Sequence, residues 1–221
     1  MRRRLLLRVY RRLRARFGHA RWWPGESPFE VCVGAILVQN TAWANVERAL
    51  ESLRGRGRLS FAAIERLPPS RLAPFIRSSG TFRVKARRLR AFLDWLGSEY
   101  GGRVEAMRGE EPDRLREKLL AVPGIGPETA DSILLYAAGH PVFVVDAYTR
   151  RVFSRLGLLR GGETYGEIQR LFMDALPRDA AFFNDYHAQI VRLGKDVCRA
   201  RPLCAECPLE DLCPSRGTPL S

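Results

Sequence analysis

Three observations predict an all-α fold. Apolar residues recur at helical spacing along the chain, no convincing alternating run suggests a strand, and Gly or Pro punctuates the segment ends. The N-terminal MRRRLLLRVYRRLRARFG sets Leu6, Val9, Tyr10, Leu13 and Phe17 on one stripe, so it reads as an amphipathic helix. Its apolar run, Leu5–Leu7, stops at Arg8, too short for a secretory core. A membrane-surface helix is the alternative there. Helical patterns continue at Pro28–Val38, Ala44–Leu53, Ser60–Arg66, Pro69–Arg77 and Val84–Tyr100, then at Asp113–Ala121, Glu128–Ala138, Tyr148–Leu156, Tyr165–Ala175 and Ala180–Leu193. Gly101-Gly102 and Gly161-Gly162 mark loops. A chain of 221 residues can bury one large core or two small ones, and 46% hydrophobic residues exclude general disorder.

The segment Val122–Asp131, VPGIGPETAD, reads as a hairpin between two helices. Leu115, Leu119, Leu120 and Val122 carry the first helix, and Pro123 and Gly124 stop it. Gly126 turns without a side chain in the way, and Pro127 suits the first position of the next helix because its missing N–H has no partner there anyway. Unpaired N–H groups and the positive dipole end at that helix start favour an anion, so the turn can grip a phosphate oxygen. An ordinary Gly-Pro turn is the plainer reading. Charge favours the grip: 37 Lys+Arg against 24 Asp+Glu give a formal net charge of +13, a field that attracts polyanions such as nucleic acid. Only Lys85, Lys118 and Lys195 are lysines, and the dominant arginines suit bidentate phosphate contacts.

Cys198, Cys204, Cys207 and Cys213 form C-x5-C-x2-C-x5-C near the C-terminus, while Cys32 sits in an apolar segment and reads as core. Four thiolates at this spacing suit zinc or a cubane iron–sulfur cluster. Structural zinc usually takes two tight Cys-x-x-Cys knuckles, and one is present, so the spacing favours iron–sulfur. Upstream, the apolar run PVFVVDAYTRR carries a single acid, Asp146, ahead of a helical segment, where aspartate is a favoured N-cap.

The hairpin, Asp146 and the four cysteines together resemble the endonuclease III-like helix-hairpin-helix (HhH-GPD) superfamily of DNA glycosylases. The likeness covers nearly the whole chain and includes LVQNT at Leu37–Thr41 and SGTFRVKARRL at Ser79–Leu89. RWWP at Arg21–Pro24, QNTAW at Gln39–Trp43 and GIGPETAD look most like the MagIII-type 3-methyladenine glycosylases. The resemblance implies two helical domains with a DNA-binding groove between them: a barrel over residues 25–140 ending in the hairpin, and a discontinuous domain of residues 1–24 plus 141–221 with the four-cysteine loop. It implies a 4Fe–4S cluster, although the first two cysteines lie one residue closer than in endonuclease III.

The resemblance also assigns roles. Asp146 would be the catalytic acid, steadying the cation that develops on the sugar as the base leaves. Trp22, Trp23, Pro24 and Trp43, with Glu128, would line the base pocket, where an indole face attracts a flat cationic purine; alternatively, Trp22 and Trp23 staple the first helix to the core. Gln39 would fill the hole in the duplex, or else be a buried amide. Thr81 and Phe82 would wedge the opposite strand, or Phe82 would be core. Lys85 belongs to a basic helix with Arg83, Arg87, Arg88 and Arg90 that meets phosphate or is simply solvated. Gly124, Ile125, Gly126 and Thr129 form the DNA grip. His187, on an apolar helix, reads as structural. Where bifunctional members carry a Schiff-base lysine, Glu128 stands here, and a carboxylate cannot form an imine. The expected protein is a monofunctional, cytoplasmic, monomeric base-excision glycosylase for alkylated purines in damaged double-stranded DNA, without a membrane partner. The alternatives are a glycosylase for oxidised or mismatched bases and a non-catalytic DNA-binding iron–sulfur protein.

Overall fold

Pro28 opens α2 (Pro28–Leu37) behind the Ser27 hydroxyl, which accepts the Glu30 N–H at 3.2 Å. The computed structural model describes residues 2–20 and 25–217, and no strand occurs among them. The chain divides into two compact units, Trp23–His140 and Met1–Trp22 with Pro141–Ser221. No helix among the described residues is long and apolar enough to cross a membrane.

In the unit Trp23–His140, α2 is buried along most of its length and is contacted by α3 (Trp43–Arg54), α6 (Phe82–Tyr100) and α8 (Pro127–Ser132). α3 turns Val46, Ala49, Leu50 and Leu53 inward, and α6 turns Ala86, Leu89, Phe92, Leu93 and Leu96 inward, the stripes their periodicity predicts. α4 (Phe61–Ile64) and α5 (Pro69–Leu72) are single turns. The helix expected over Pro69–Arg77 is not continuous: beyond α5 the chain tightens into 3-10 geometry at Ala73–Ser79, broken at Ile76 with φ −105° and ψ 18°. Pro74 lies within that turn and cannot supply a helical N–H. α7 (Pro112–Ala121) begins with the Glu111 carboxylate accepting the N–H groups of Asp113 and Arg114. The helix expected over Glu128–Ala138 is also divided, because Ile133–Ala138 widens into a π-helix before left-handed Gly139. There the Gly139 and His140 N–H groups both donate to Leu134 O.

In the other unit, α1 (Arg2–Phe17) buries Leu6, Val9, Tyr10 and Leu13. α9 (Ala147–Arg155), α10 (Tyr165–Met173) and α11 (Ala180–Asp196) complete the frame. Thr164 and Glu167 cap α10 reciprocally, a device that satisfies two helix-start donors at once. The core is aromatic: Phe143 stacks on Phe172 with centroids 4.0 Å apart, and Phe153 meets Phe172 edge-on at 4.8 Å. α1 is tied to α11 by Tyr10 Oη donating to Asp185 Oδ2 at 2.6 Å and Tyr186 Oη donating to Leu6 O at 2.8 Å. Asp185 also accepts the Ala20 N–H at 2.8 Å, so its buried carboxylate is well supplied with donors.

Candidate functional site

The hairpin is held by side chains from two other elements. Gly124 sits at φ +90°, which favours glycine, and a Cβ there would run into the Arg88 side chain. Gly126 caps α8 with extended backbone and open space where a Cβ would stand. The Gln39 side-chain amide donates to Gly124 O at 3.0 Å and to Thr129 Oγ1 at 2.9 Å, while Arg88 donates to Gln39 Oε1. Thus Gln39, Gly124 and Thr129 do come together, with Arg88 as an unexpected fourth member. The Ile125 side chain is buried, leaving its backbone as the part that can meet a ligand. Glu128 is exposed in the first turn of α8.

Lys85 departs from the expected phosphate contact. It is buried, and its ammonium donates to Leu37 O at 2.8 Å and to Ser79 O. Burial first, and Arg88 second, lower its pKa. Its physical role is to satisfy two carbonyls beneath the surface. Arg83 and Arg87 are exposed, whereas Arg90 turns to Asp94 at 2.8 Å and to Glu65 O. Thr81 is exposed at the start of α6. Phe82 is half-buried rather than core, between the guanidiniums of Arg77 and Arg83 at 5.6 and 5.9 Å from its centroid. Trp43 is half-exposed at the start of α3, its indole N–H on Glu47 Oε1 at 2.9 Å. Trp22, Trp23 and Pro24 lie outside the described residues.

Asp146 belongs to the unit containing Pro141–Ser221. The buried run Val142–Val145 delivers it to the start of α9, where its Oδ1 accepts the Thr149 N–H at 2.7 Å. Its Oδ2 faces Nε2 of His187 on α11 at 3.5 Å, with side chains 12% and 6% exposed respectively. Burial pushes the carboxyl pKa up, but His187 and the Thr149 contacts outweigh it and hold the group below the usual carboxylate range. The carboxylate is therefore anionic at neutral pH, with Oδ1 held by the Thr149 N–H and Oδ2 facing the imidazole. His187 is the neighbour of Asp146 that the sequence does not disclose, because one histidine on an apolar helix carries no spacing signal toward α9.

The four candidate ligand cysteines are unpaired and half-buried. The Cys207 thiol is pushed up to about 11, chiefly by burial and further by Cys198, Cys213 and Cys204, so the four sulfurs act on one another. No group of three or more His, Cys, Asp or Glu among the described residues converges tightly enough for a single metal ion. Arg155 donates to Cys198 Sγ at 3.2 Å and the Gly217 N–H to Cys204 Sγ at 3.3 Å. The N–H donors on two of the four sulfurs suit thiolates that ligate a metal centre.

The profile of the HhH-GPD superfamily base excision DNA repair proteins matches residues 33–178. The chain belongs to this superfamily. It is 42% identical over 214 residues to a provisionally named DNA repair glycosylase of Methanocaldococcus jannaschii, covering 96% of this chain and 97% of that protein. Its structure is similar to that of endonuclease III in a non-covalent DNA complex, with a TM-score of 0.82, 26% identity, and coverage of 96% of this chain and 95% of that one. It is also similar to the Helicobacter pylori 3-methyladenine DNA glycosylase MagIII bound to 1,N6-ethenoadenine, with a TM-score of 0.75, 26% identity, and coverage of 88% and 97%. This superfamily member is thus an endonuclease III-like DNA glycosylase of base excision repair.

Proposed function

We propose that the chain is a monofunctional glycosylase that flips alkylated purines such as 3-methyladenine out of double-stranded DNA and hydrolyses their N-glycosidic bond. The observation that carries this reading is Asp146, a nearly buried carboxylate held anionic, with one oxygen capped by the Thr149 N–H and the other facing His187. Such a charge stabilises an oxocarbenium-like sugar as the base departs and can orient the attacking water. An alkylated purine is already cationic, so it leaves without strong acid catalysis. Trp43 offers a half-exposed indole for stacking such a base, in the pocket assigned to Trp22, Trp23, Pro24 and Glu128.

Two of the three lysines support the monofunctional part, while Lys195 is exposed near the end of α11. Lys85 is buried on two carbonyls, and Lys118 is paired with Glu110 at 2.7 Å and Glu99 at 3.0 Å. Position 128 offers a carboxylate, which forms no imine. In this reading Gly124, Ile125, Gly126 and Thr129 bind backbone phosphate, Thr81 and Phe82 wedge the duplex, Gln39 enters the vacated stack, and Cys198, Cys204, Cys207 and Cys213 hold a 4Fe–4S cluster. When bound, the cluster would cross-link the loop it closes.

A panel of duplexes, each carrying one defined lesion, tests the proposal. Release of 3-methyladenine, with an uncut abasic strand and no adduct trapped by borohydride, is the expected outcome. The likeness to endonuclease III supports a second reading, a glycosylase for oxidised or mismatched bases. Release of an oxidised pyrimidine with strand scission, and none of the alkylated purine, would establish it instead. A protein that bound every duplex and released nothing would be a non-catalytic module.

A further inference from the structure

The proposed role of Asp146 leaves open what keeps its carboxylate aimed. A carboxylate turns freely about its last side-chain bond, with a broad two-fold preference. The Thr149 N–H restrains one oxygen, and that contact is an ordinary helix cap. The second oxygen is met from a different element by the His187 imidazole. The plane of that ring is itself packed, edge-on to Phe143 with centroids 6.4 Å apart at 88°. Other polar groups on α9, α10 and α11 make contacts of their own. Arg150 donates to Glu163 O at 3.0 Å, Arg151 donates to Cys198 O and Gly194 O, and the Tyr165 hydroxyl accepts the Val145 N–H. On α11 itself, Asp185 serves Tyr10 and Ala20, and Gln189 donates to Gly18 O.

We propose that His187 is the positioning residue for Asp146, holding the Oδ2 edge in place and keeping the acid anionic for the developing sugar cation. The inference rests on the catalytic reading of Asp146 and extends it to a residue on another helix. Two consequences follow from its geometry. Without the imidazole, Oδ2 loses its facing group and the carboxylate gains rotational freedom. Burial then acts on Asp146 with less opposition, so a larger fraction of the acid is protonated at a given pH, and a protonated acid cannot stabilise positive charge.

The test is single-turnover base release from an alkylated-purine duplex between about pH 3 and 9, a window that reaches below the ordinary carboxylate range where Asp146 titrates, and a bell-shaped or one-limbed profile there reports the groups that must be ionised. Wild type, His187→Leu, His187→Gln and Asp146→Asn are compared, with DNA affinity measured separately. His187→Leu should release base roughly tenfold or more slowly at neutral pH, with its acid limb displaced to higher pH by about one unit, since one unit is a tenfold change in the ionised fraction. Its DNA affinity should stay at the wild-type level. His187→Gln retains an N–H donor and should recover most of the rate. A 13C carboxyl titration of Asp146 in the DNA-free protein supplies a readout independent of substrate and turnover, and its midpoint should rise in His187→Leu. An unchanged midpoint together with an unchanged pH profile overturns the proposal. Full activity in Asp146→Asn would instead remove Asp146 from the chemistry and leave the carboxyl titration to decide the pairing.

Discussion

Arg155, on the last turn of α9, donates an Nη1–H to Cys198 Sγ at 3.2 Å and reaches Arg199 O and Ala200 O at 2.6 and 3.0 Å. The helix that begins at Asp146 therefore ends on the cysteine loop. Arg155 is buried, and its replacement removes three hydrogen bonds to the cysteine loop at once. Arg155→Met should lower the unfolding free energy by about 2–4 kcal/mol and reduce the iron retained on purification. Urea denaturation and iron assay measure both. Wild-type values for each would show that the contact is incidental.

Asp146 serves as a cap and, in the proposed mechanism, as the charge that steadies the sugar, and two substitutions separate these jobs. Asn is as good an N-cap as Asp, so Asp146→Asn should keep the cap and lose only the ionic contribution to stability at neutral pH, while base release disappears. Asp146→Ala should lose activity and a further ~1 kcal/mol through the lost cap. The native carboxyl titrates below the unfolded value of about 3.9. Its ionic contribution to stability is therefore complete above that value and disappears as pH falls through the native one. Denaturation curves measured down a pH series should show the wild type converging on Asp146→Asn in that acid window and nowhere above it.

The two hairpin glycines should respond differently to alanine. Gly124→Ala combines a left-handed φ with a clash against Arg88, and should cost about 1–3 kcal/mol in thermal or urea unfolding. Gly126→Ala has neither fault, so the fold should stay intact while DNA affinity drops, because a methyl group would then stand in the way of the phosphate in the proposed grip. Equal melting temperatures for the two variants would refute the assigned difference.

Basic residues of α6 should separate by exposure. Arg83→Ala should weaken DNA binding and flatten the dependence of log K on log salt by about 1. Lys85→Met should leave that slope alone and destabilise the fold, since two buried carbonyls lose their donor. A reduced salt slope in Lys85→Met would return Lys85 to the DNA surface.

Much of this was legible from the chain because local rules suffice for it. The stripes of α1, α3 and α6 follow from 3.6-residue periodicity, and the hairpin follows from where Gly and Pro must fall. Two helices were read as too regular, at Pro69–Arg77 and Glu128–Ala138. Pro74 breaks the first, and in the second the pairing of Gly139 and His140 with Leu134 widens the last turns. Neither effect alters hydrophobic spacing, so periodicity could not detect it. Lys85 was misplaced for a related reason: a lysine amid arginines has the composition of a solvated face, and only its position over the end of α2 turns the ammonium inward.

The sequence by itself determined the helical class, the glycine-proline hairpin between α7 and α8, the acid at the head of α9 and the four thiols, because each is a matter of residue type at short spacing. Only the tertiary structure decided that His187 faces Asp146, that Arg88 and Gln39 brace the hairpin, and that Arg155 joins α9 to Cys198. Those relationships join residues far apart in the chain, and which side chains meet across packed helices depends on how buried polar groups find partners once water is excluded.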